Sequence, residues 1–228
     1  MSVIELKNVK YAYGKQSVLG GVNVRLEQGK MYVILGPSGC GKTTLLSLMG
    51  GMDSPSCGQI LYQGEDIAKT GLAIHRRRHV AFIFQSYNLI DYLTPEENVA
   101  LTSKLPPLPI LEQLGITKAE AKRNVLKLSG GQQQRVAIAR AISSDAQVIL
   151  ADEPTGNLDE ETAREITGIL KDSAHKGGKC VVVVTHSNEL ANEADVIFRL
   201  RKGELQTFTP GRDENAKNKV RKSSVDKK

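Results

Sequence analysis

Short runs of apolar, β-branched residues recur along the chain and are separated by segments with helical periodicity. Three of these runs are apolar at successive positions, which is typical of strands that are covered on both faces. The pattern therefore predicts an α/β fold in which a largely parallel sheet is sandwiched by helices. The predicted strands lie at 24–36, 79–85, 146–153, 179–186 and 194–200, with a hairpin-like ending at 201–208.

The middle of the chain follows a different pattern. Residues 88–128 contain no strong strand signal, and the segment KLPPLPI at 104–110 interrupts any long helix. We predict a small helical subdomain at about 88–145 within one domain spanning 1–210. The prolines of 104–110 are interpreted as a stiff linker within it.

Composition limits the possible classes of protein. Hydrophobic residues make up 40% of the chain and charged residues 25%, which is ordinary for a globular protein. No run of about 18 apolar residues occurs, and the N-terminus lacks the basic-then-apolar pattern of a signal peptide. The three cysteines, Cys40, Cys57 and Cys180, have no CxxC spacing, which favours reduced thiols in the cytosol.

Positive charge is concentrated at the C-terminus. Residues 211–228 hold seven basic and three acidic residues and so supply +4 of the net charge of +6. We predict a basic, disordered and solvated tail there; the alternative is a tether to acidic headgroups or nucleic acid. The remainder is close to neutral, so no nucleic-acid partner is expected for the core.

A glycine-rich segment, GPSGCGKT, follows an apolar run and precedes a predicted helix from Lys42 to about Met49. This spacing and context are those of a phosphate-binding loop, in which backbone N–H groups surround phosphate oxygens at a helix N-terminus. Lys42 is predicted to bind the β- and γ-phosphates, and the Thr43 hydroxyl to bind Mg²⁺. The predicted nucleotide ligands here are Gly36, Ser38, Gly39, Cys40, Gly41, Lys42, Thr43 and Thr44, with Cys40 acting as filler.

Polar residues also end three other predicted strands. Asp152 and Glu153 follow VILA, and we predict that Asp152 holds Mg²⁺ while Glu153 polarises the attacking water. His186 ends VVVVTH and is expected to contact the γ-phosphate or that water. Gln85 ends the strand at 79–85 and can reach Mg²⁺ or water. Because ligands bind at the carboxyl ends of strands in such sheets, these side chains should converge.

A second helix start, in LSGGQQQRVAIARAI, also has the composition of an anion site. Ser129, Gly130 and Gly131 precede a run that is apolar over most of its circumference, so the helix should be buried against the sheet. Free N–H groups, a serine hydroxyl and the positive end of the helix dipole would attract an anion. Ordinary N-capping by Ser129 explains the pattern equally well.

The order of these motifs resembles that of the ATP-binding subunit of an ABC transporter: the phosphate loop, Gln85, LSGGQ, ILADEP, NLD and His186. The resemblance covers about residues 1–205. It implies a P-loop NTPase core with an N-terminal antiparallel β portion and a small helical insert. It also implies an Mg²⁺-dependent ATPase that dimerises head-to-tail with a second copy.

The resemblance assigns further roles to individual residues. Ser129, Gly130, Gly131 and Gln132 would hold the γ-phosphate bound to the other subunit. Tyr13 matches the position whose aromatic ring stacks on adenine, with Tyr11 as the alternative. Asp159 matches the loop that crosses the dimer interface. Gly156-Asn157 stands where the family often has serine-alanine.

The segments ADEPTGNLD and LSGGQQQRVAIARA are most similar to the branch that serves macrolide export, lipoprotein release, antimicrobial-peptide export and the cell-division complex. A separate permease would then be the partner, contacted by Gln85 and 86–101. This would place the protein on the cytoplasmic face of the membrane. The following TSKLPPLP is shorter than the helical segment expected there.

Two other functions are considered. A soluble ABC-type ATPase acting on nucleic acid or the ribosome would account for the basic tail, but would usually carry two fused ATP domains or a long coiled-coil insert. A phosphotransferase acting on a small metabolite would leave LSGGQ and the pairing of Glu153 with His186 unexplained.

Overall fold

The computed structural model describes residues 2–156 and 158–208, and the predicted tail at 211–228 lies outside them. Within these ranges the strands are β1 (Ser2–Tyr13), β2 (Gln16–Glu27), β3 (Met31–Leu35), β4 (Cys57–Tyr62), β5 (Glu65–Asp66), β6 (Val80–Ile83), β7 (Val148–Asp152), β8 (Cys180–Thr185), β9 (Val196–Arg201) and β10 (Glu204–Phe208). The α-helices are α1 (Lys42–Met49), α2 (Ile67–Thr70), α3 (Leu72–Arg78), α4 (Pro95–Ala100), α5 (Pro107–Gln113), α6 (Lys118–Ala121), α7 (Gly130–Ile142), α8 (Glu160–His175) and α9 (Asn188–Asn192).

The strands form two sheets. The larger has the order β10-β9-β3-β8-β7-β6 and is parallel except for the β9–β10 hairpin. The smaller sheet is antiparallel, in the order β2-β1-β4-β5. The predicted α/β fold, with its largely parallel sheet and N-terminal antiparallel portion, is confirmed.

Two hydrophobic cores lie on opposite faces of the larger sheet. In β3, Met31 and Val33 face the core built with α4–α9, whereas Tyr32 and Ile34 face the core shared with α1 and the antiparallel sheet. Every residue of β3 is buried, and so is every residue of β8. Coverage on both faces explains why these strands are apolar at successive positions.

The predicted strand at 24–36 is wrong in one respect, because it is two strands. β2 ends at Glu27 and β3 begins at Met31, with a turn between them at Gln28 and Gly29. Gly29 has φ 74°, a left-handed conformation that glycine adopts at little cost. The turn transfers the chain from the antiparallel sheet to the parallel one.

The interpretation of 104–110 as a stiff linker is also wrong. Pro107 is the first residue of α5, and Pro109 lies in its first turn. Proline is tolerated there because the first N–H groups of a helix have no intrahelical partner. The prolines therefore start a helix.

No helix among residues 2–156 and 158–208 is long and apolar enough to cross a membrane.

Candidate active site

The predicted catalytic residues follow four neighbouring parallel strands. The phosphate loop follows β3, His186 follows β8, Glu153 follows β7, and Gln85 lies two residues beyond the end of β6. These strands are adjacent in the sheet, in the order β3-β8-β7-β6. Their carboxyl ends therefore share one edge, the usual ligand-binding edge of an open α/β sheet.

The phosphate loop forms a cradle that opens onto the start of α1. Gly39 and Gly41 have φ 74° and 101°, so both need the left-handed conformation. Gly41 is the N-cap of α1 and offers no side-chain hydrogen bond to it, which leaves the first N–H groups for a ligand. A Cβ on Gly36 would lie 2.6 Å from the Cys40 sulfur, so Cys40 packs inside the loop as filler.

Lys42 folds back over this loop. Its ammonium group donates to the carbonyl oxygens of Gly36 at 2.7 Å and Pro37 at 3.2 Å, and the residue is only 9% exposed. The cradle thus combines free backbone donors, one buried cation and the exposed residues Ser38 and Gly39. This donor set fits the phosphates of a nucleoside triphosphate.

Asp152 and Thr43 meet beside the cradle. Burial raises the pKa of the Asp152 carboxyl, as does the charge of Glu153; the hydrogen bond from the Thr43 hydroxyl and the charge of Lys42 oppose this rise. A half-buried carboxylate next to a hydroxyl provides two oxygen ligands for a hard cation.

Glu153 lies one residue beyond β7, where the backbone turns to φ 45° and its N–H donates to Val184 O at 2.9 Å. Its Oε2 accepts from the Thr185 hydroxyl at 2.8 Å, and its Oε1 is 3.0 Å from His186 Nδ1. The Glu153 side chain is 14% exposed, whereas that of His186 is 76% exposed. The carboxylate is therefore fixed from two sides and remains accessible.

Gln85 points toward the same turn. A Cβ built on Gly156 would lie 3.7 Å from the Glu153 Cβ and 3.9 Å from Gln85 Nε2. The Gln85 amide and the Glu153 side chain therefore both lie near Gly156, at distances where a Cβ would make ordinary van der Waals contacts. The neighbouring Asn157 lies outside the described residues.

The start of α7 is closed by a capping box. Ser129 Oγ accepts from Gln132 N at 3.3 Å, and Gln132 Oε1 accepts from Ser129 N at 2.9 Å. The side-chain Nε2 of Gln132 donates a hydrogen bond to Glu120 Oε1 at 2.7 Å. N-capping is thus present, and it occupies the backbone N–H groups of Ser129 and Gln132. The N–H groups of Gly130 and Gly131 lie between them and take no part in the capping box.

Tyr13 and Tyr11 occupy different environments. Tyr13 is 59% exposed, and its hydroxyl lies 3.5 Å from Thr44 Oγ1 at the start of α1. Tyr11 is 9% exposed and donates its hydroxyl hydrogen to Asp53. Of the two rings, the geometry favours Tyr13 as the one that can stack on a base.

Asp159 is the N-cap of α8. Its carboxylate accepts from Thr162 N at 3.0 Å and from the Thr162 hydroxyl at 2.9 Å. Arg135 of α7 donates to the same hydroxyl at 3.3 Å. The loop before α8 is therefore tied to the helix that begins with LSGGQ.

Three further residues support the site and were not predicted. Thr185 is the last residue of β8, and its hydroxyl donates to Glu153. The apolar pattern of that strand did not indicate a role for Thr185. Gln134 donates to Pro154 O at 2.9 Å from inside α7, and its Oε1 is the one buried side-chain polar atom without a partner in the described ranges. Arg140 donates to Tyr87 O and Asn88 O, fixing the segment after Gln85.

Comparison with known proteins agrees with this geometry. Residues 19–156 match the family described as ABC transporter. The ABC transporter ATP-binding protein YclH of Bacillus subtilis (strain 168) is 43% identical over 215 residues, covering 89% of this chain and 95% of YclH. The macrolide export ATP-binding/permease protein MacB of Brucella melitensis biotype 1 is 40% identical over 210 residues, which are 86% of this chain and 32% of MacB.

A solved structure gives the same result. The dimeric post-hydrolysis state of the ATP-binding cassette MJ0796, bound to ADP and Pi, superposes with a TM-score of 0.79 and 35% identity. The match covers 90% of this chain and 99% of that one. The chain belongs to the ABC transporter family, as one of its ATP-binding and ATP-hydrolysing cassettes.

Proposed function

We propose that the chain binds Mg-ATP, pairs head-to-tail with a second copy of itself around two nucleotides, and uses hydrolysis to drive a separate membrane permease. The observation that carries this proposal is the Glu153 carboxylate, held by Thr185 and His186 at the edge that bears the phosphate loop. A carboxylate fixed there is suited to orient a water molecule and accept its proton.

Thr43, Asp152 and Gln85 would hold Mg²⁺, which neutralises phosphate charge when it is bound. The support is chemical, since a hydroxyl, a half-buried carboxylate and an amide oxygen are all hard ligands. The contact between Thr43 and Asp152 brings two of them together.

Lys42 would exchange its two loop carbonyls for the β- and γ-phosphates. His186 uses Nδ1 toward Glu153, so Nε2 is the ring nitrogen left for the γ-phosphate. In the protonated ring, Nε2 donates to an oxyanion while Nδ1 donates to the carboxylate. Tyr13 would stack on adenine.

A second copy would complete each site. Ser129, Gly130, Gly131 and Gln132 would contact the γ-phosphate held by the other subunit, with Asp159 in the interface. The supporting feature is the exposed start of α7, where the N–H groups of Gly130 and Gly131 lie at the positive end of a 13-residue helix. MJ0796, the structural relative, is itself dimeric.

The shared site can be tested by mixing two inactive variants. Lys42→Ala removes the cradle cation, and Ser129→Ala removes the hydroxyl offered to the other subunit. In a head-to-tail dimer of one of each, one site is intact and the other lacks both groups. An equal mixture should regain up to about one quarter of wild-type ATPase activity, because half the dimers are mixed and each has one good site. If both groups act within one subunit, the mixture stays inactive.

The permease contact expected at Gln85 and 86–101 is proposed to extend into a groove beside the helical subdomain, which shares Leu101 with that segment. It has a volume of about 710 Å³, and its floor includes Phe82, Phe84 and the 55%-exposed Leu101. Its cationic lining comprises Arg76, Arg77, Arg78, Lys104 and Arg140. Asp145, the acidic residue among the lining residues, is already paired with Lys104. An apolar floor with an excess of positive charge fits an acidic amphipathic segment of the permease.

Charge reversal tests this contact. Arg77→Glu/Arg78→Glu should leave the ATPase activity of the isolated protein unchanged and abolish co-purification of an integral membrane protein from native membranes. Arg25→Glu, on the antiparallel sheet, is the matched control. Retention of the same membrane protein by the double variant would refute the groove as the contact.

The proposed task is export or extraction of an amphipathic compound, a peptide or a lipoprotein. Its support is the 40% identity to MacB, whose name includes macrolide export. In this proposal the chain lies on the inner face of the membrane, bound to its permease, and acts without nucleic acid.

A further inference from the structure

A partly buried hydrogen bond joins the strand that carries Tyr13 to the turn after α1. The Tyr11 hydroxyl donates to Asp53 Oδ2, while Asp53 Oδ1 accepts from Ser54 N at 2.7 Å. The bond to Asp53 raises the pKa of Tyr11 to about 12, since it stabilises the protonated phenol. A backbone bond from Ser56 N to Lys10 O, 2.8 Å long, ties the same two segments together.

Tyr11 also supports the ring of Tyr13. The two ring centroids are 5.0 Å apart at an interplanar angle of 82°, an edge-to-face arrangement that is favourable for aromatic pairs. Tyr11 is fixed by Asp53 and nearly buried, whereas Tyr13 is 59% exposed. The exposed ring therefore rests on an immobilised one.

Asp53, which accepts from Tyr11, lies just beyond the helix that begins in the phosphate cradle. α1 begins at Lys42 in the phosphate cradle and ends at Met49, four residues before Asp53. The same helix thus carries the cradle at its start and, just beyond its end, the acceptor that holds Tyr11. The bond fixes the base platform relative to the phosphate site.

We propose that Tyr11 and Asp53 are positioning residues that hold the Tyr13 ring at a set place relative to the phosphate cradle, so that nucleobase and phosphates bind together. The proposal rests on the proposed function of Tyr13 as the adenine platform. Without the bond, Tyr13 must be ordered by the incoming base, and that cost reduces affinity. Affinity should therefore decrease for ligands that contain a base and stay unchanged for ligands that contain only phosphates.

Tyr11→Phe and Asp53→Ala test this by competition titrations with ATP and with inorganic tripolyphosphate, both with Mg²⁺. We expect each variant to bind ATP about five- to tenfold more weakly, the scale of one lost hydrogen bond. Tripolyphosphate affinity should remain within about twofold of wild type. The matched control is Tyr32→Phe in β3, which removes a hydroxyl that accepts from Glu27 N of β2 at 2.8 Å. That control should leave both affinities unchanged.

Equal weakening of both ligands would mean that Tyr11 and Asp53 act only through the fold, and it would overturn the proposal. Unchanged ATP affinity in both variants would overturn it as well. Tyr13→Ala separates this inference from the proposed function. If Tyr13→Ala lowers ATP affinity selectively and Tyr11→Phe does not, only the positioning role fails. If Tyr13→Ala changes neither ligand, the base platform itself is wrong.

Discussion

Replacement of Glu153 by glutamine removes a charge and a proton acceptor with little change in shape. Thr185 can still donate to the side-chain oxygen, replacing the 2.8 Å bond to Oε2. His186 can change tautomer, so that Nδ1 accepts from the new amide instead of facing a carboxylate. Both contacts survive as neutral hydrogen bonds.

The magnitudes follow from these contacts. Exchanging charged for neutral hydrogen bonds costs about 1 kcal/mol of unfolding free energy, or about 2–4 °C in Tm. Loss of a general base slows proton transfer by about 10²–10⁴-fold. Glu153→Gln should therefore stay folded, bind ATP, hydrolyse it very slowly and accumulate as a nucleotide-bound dimer.

Single-turnover phosphate release measures the chemical step, and light scattering with ATP and Mg²⁺ measures the dimer. Glu97→Gln is the matched control, because Glu97 caps α4 and glutamine preserves such a capping box. Hydrolysis by Glu153→Gln within about threefold of wild type would refute the role of general base. A variant that stays monomeric with ATP would refute the shared-site mechanism.

Three further predictions concern other parts of the molecule. Ser129→Ala should spare ATP binding to the monomer, measured by titration, and abolish ATP hydrolysis; loss of ATP binding would place Ser129 in its own chain's site. Complete labelling of Cys40 by a thiol reagent should block nucleotide binding because its sulfur fills the loop, and unchanged binding would contradict this packing. Burial lowers the pKa of both His75 and His79 below 6.5. The hydrogen bond to Met49 O opposes the lower pKa of His75, whereas His79 and Arg76 add to it. Arg78 lowers the pKa of His79 further, and Glu65 opposes that change. The unfolded chain therefore binds more protons below pH 6.5, so urea midpoints should fall as pH drops from 7.5 toward 5.5, and His75→Gln should flatten that slope.

The parallel strands were predictable because each is covered on both faces. Burial on two faces selects apolar residues at successive positions, as in β8, and leaves a pattern that is readable without the fold. The antiparallel portion was expected only from the family resemblance. In β1, register shifts between Leu6 and Val9 and between Tyr11 and Ala12 break the alternation that a half-buried strand would otherwise have.

Candidate site residues could be predicted where a polar residue type has a single chemical role next to a phosphate loop. Asp152 ends β7, and Glu153 and His186 directly follow β7 and β8, so strand prediction also located them. Thr185 and Gln134 could not be found this way, since their roles depend on which atoms lie opposite in three dimensions. For Gln134 that atom is Pro154 O, twenty residues away.

The two helix starts of the protein differ in how many donors they leave free, and this difference suits them to unequal tasks. The N-cap of α1 is a left-handed glycine with no side-chain hydrogen bond, so its whole first turn is open and Lys42 adds charge. The start of α7 has its outer N–H groups closed by Ser129 and Gln132, which leaves only the middle pair. In the proposed mechanism, the open turn with its cation holds the triphosphate, and the two N–H groups and the hydroxyl of α7 complete the contacts of an anion held by the other subunit. The capping box that stabilises α7 thus leaves fewer free donors there than at α1, which agrees with the proposal that a second molecule brings the phosphate.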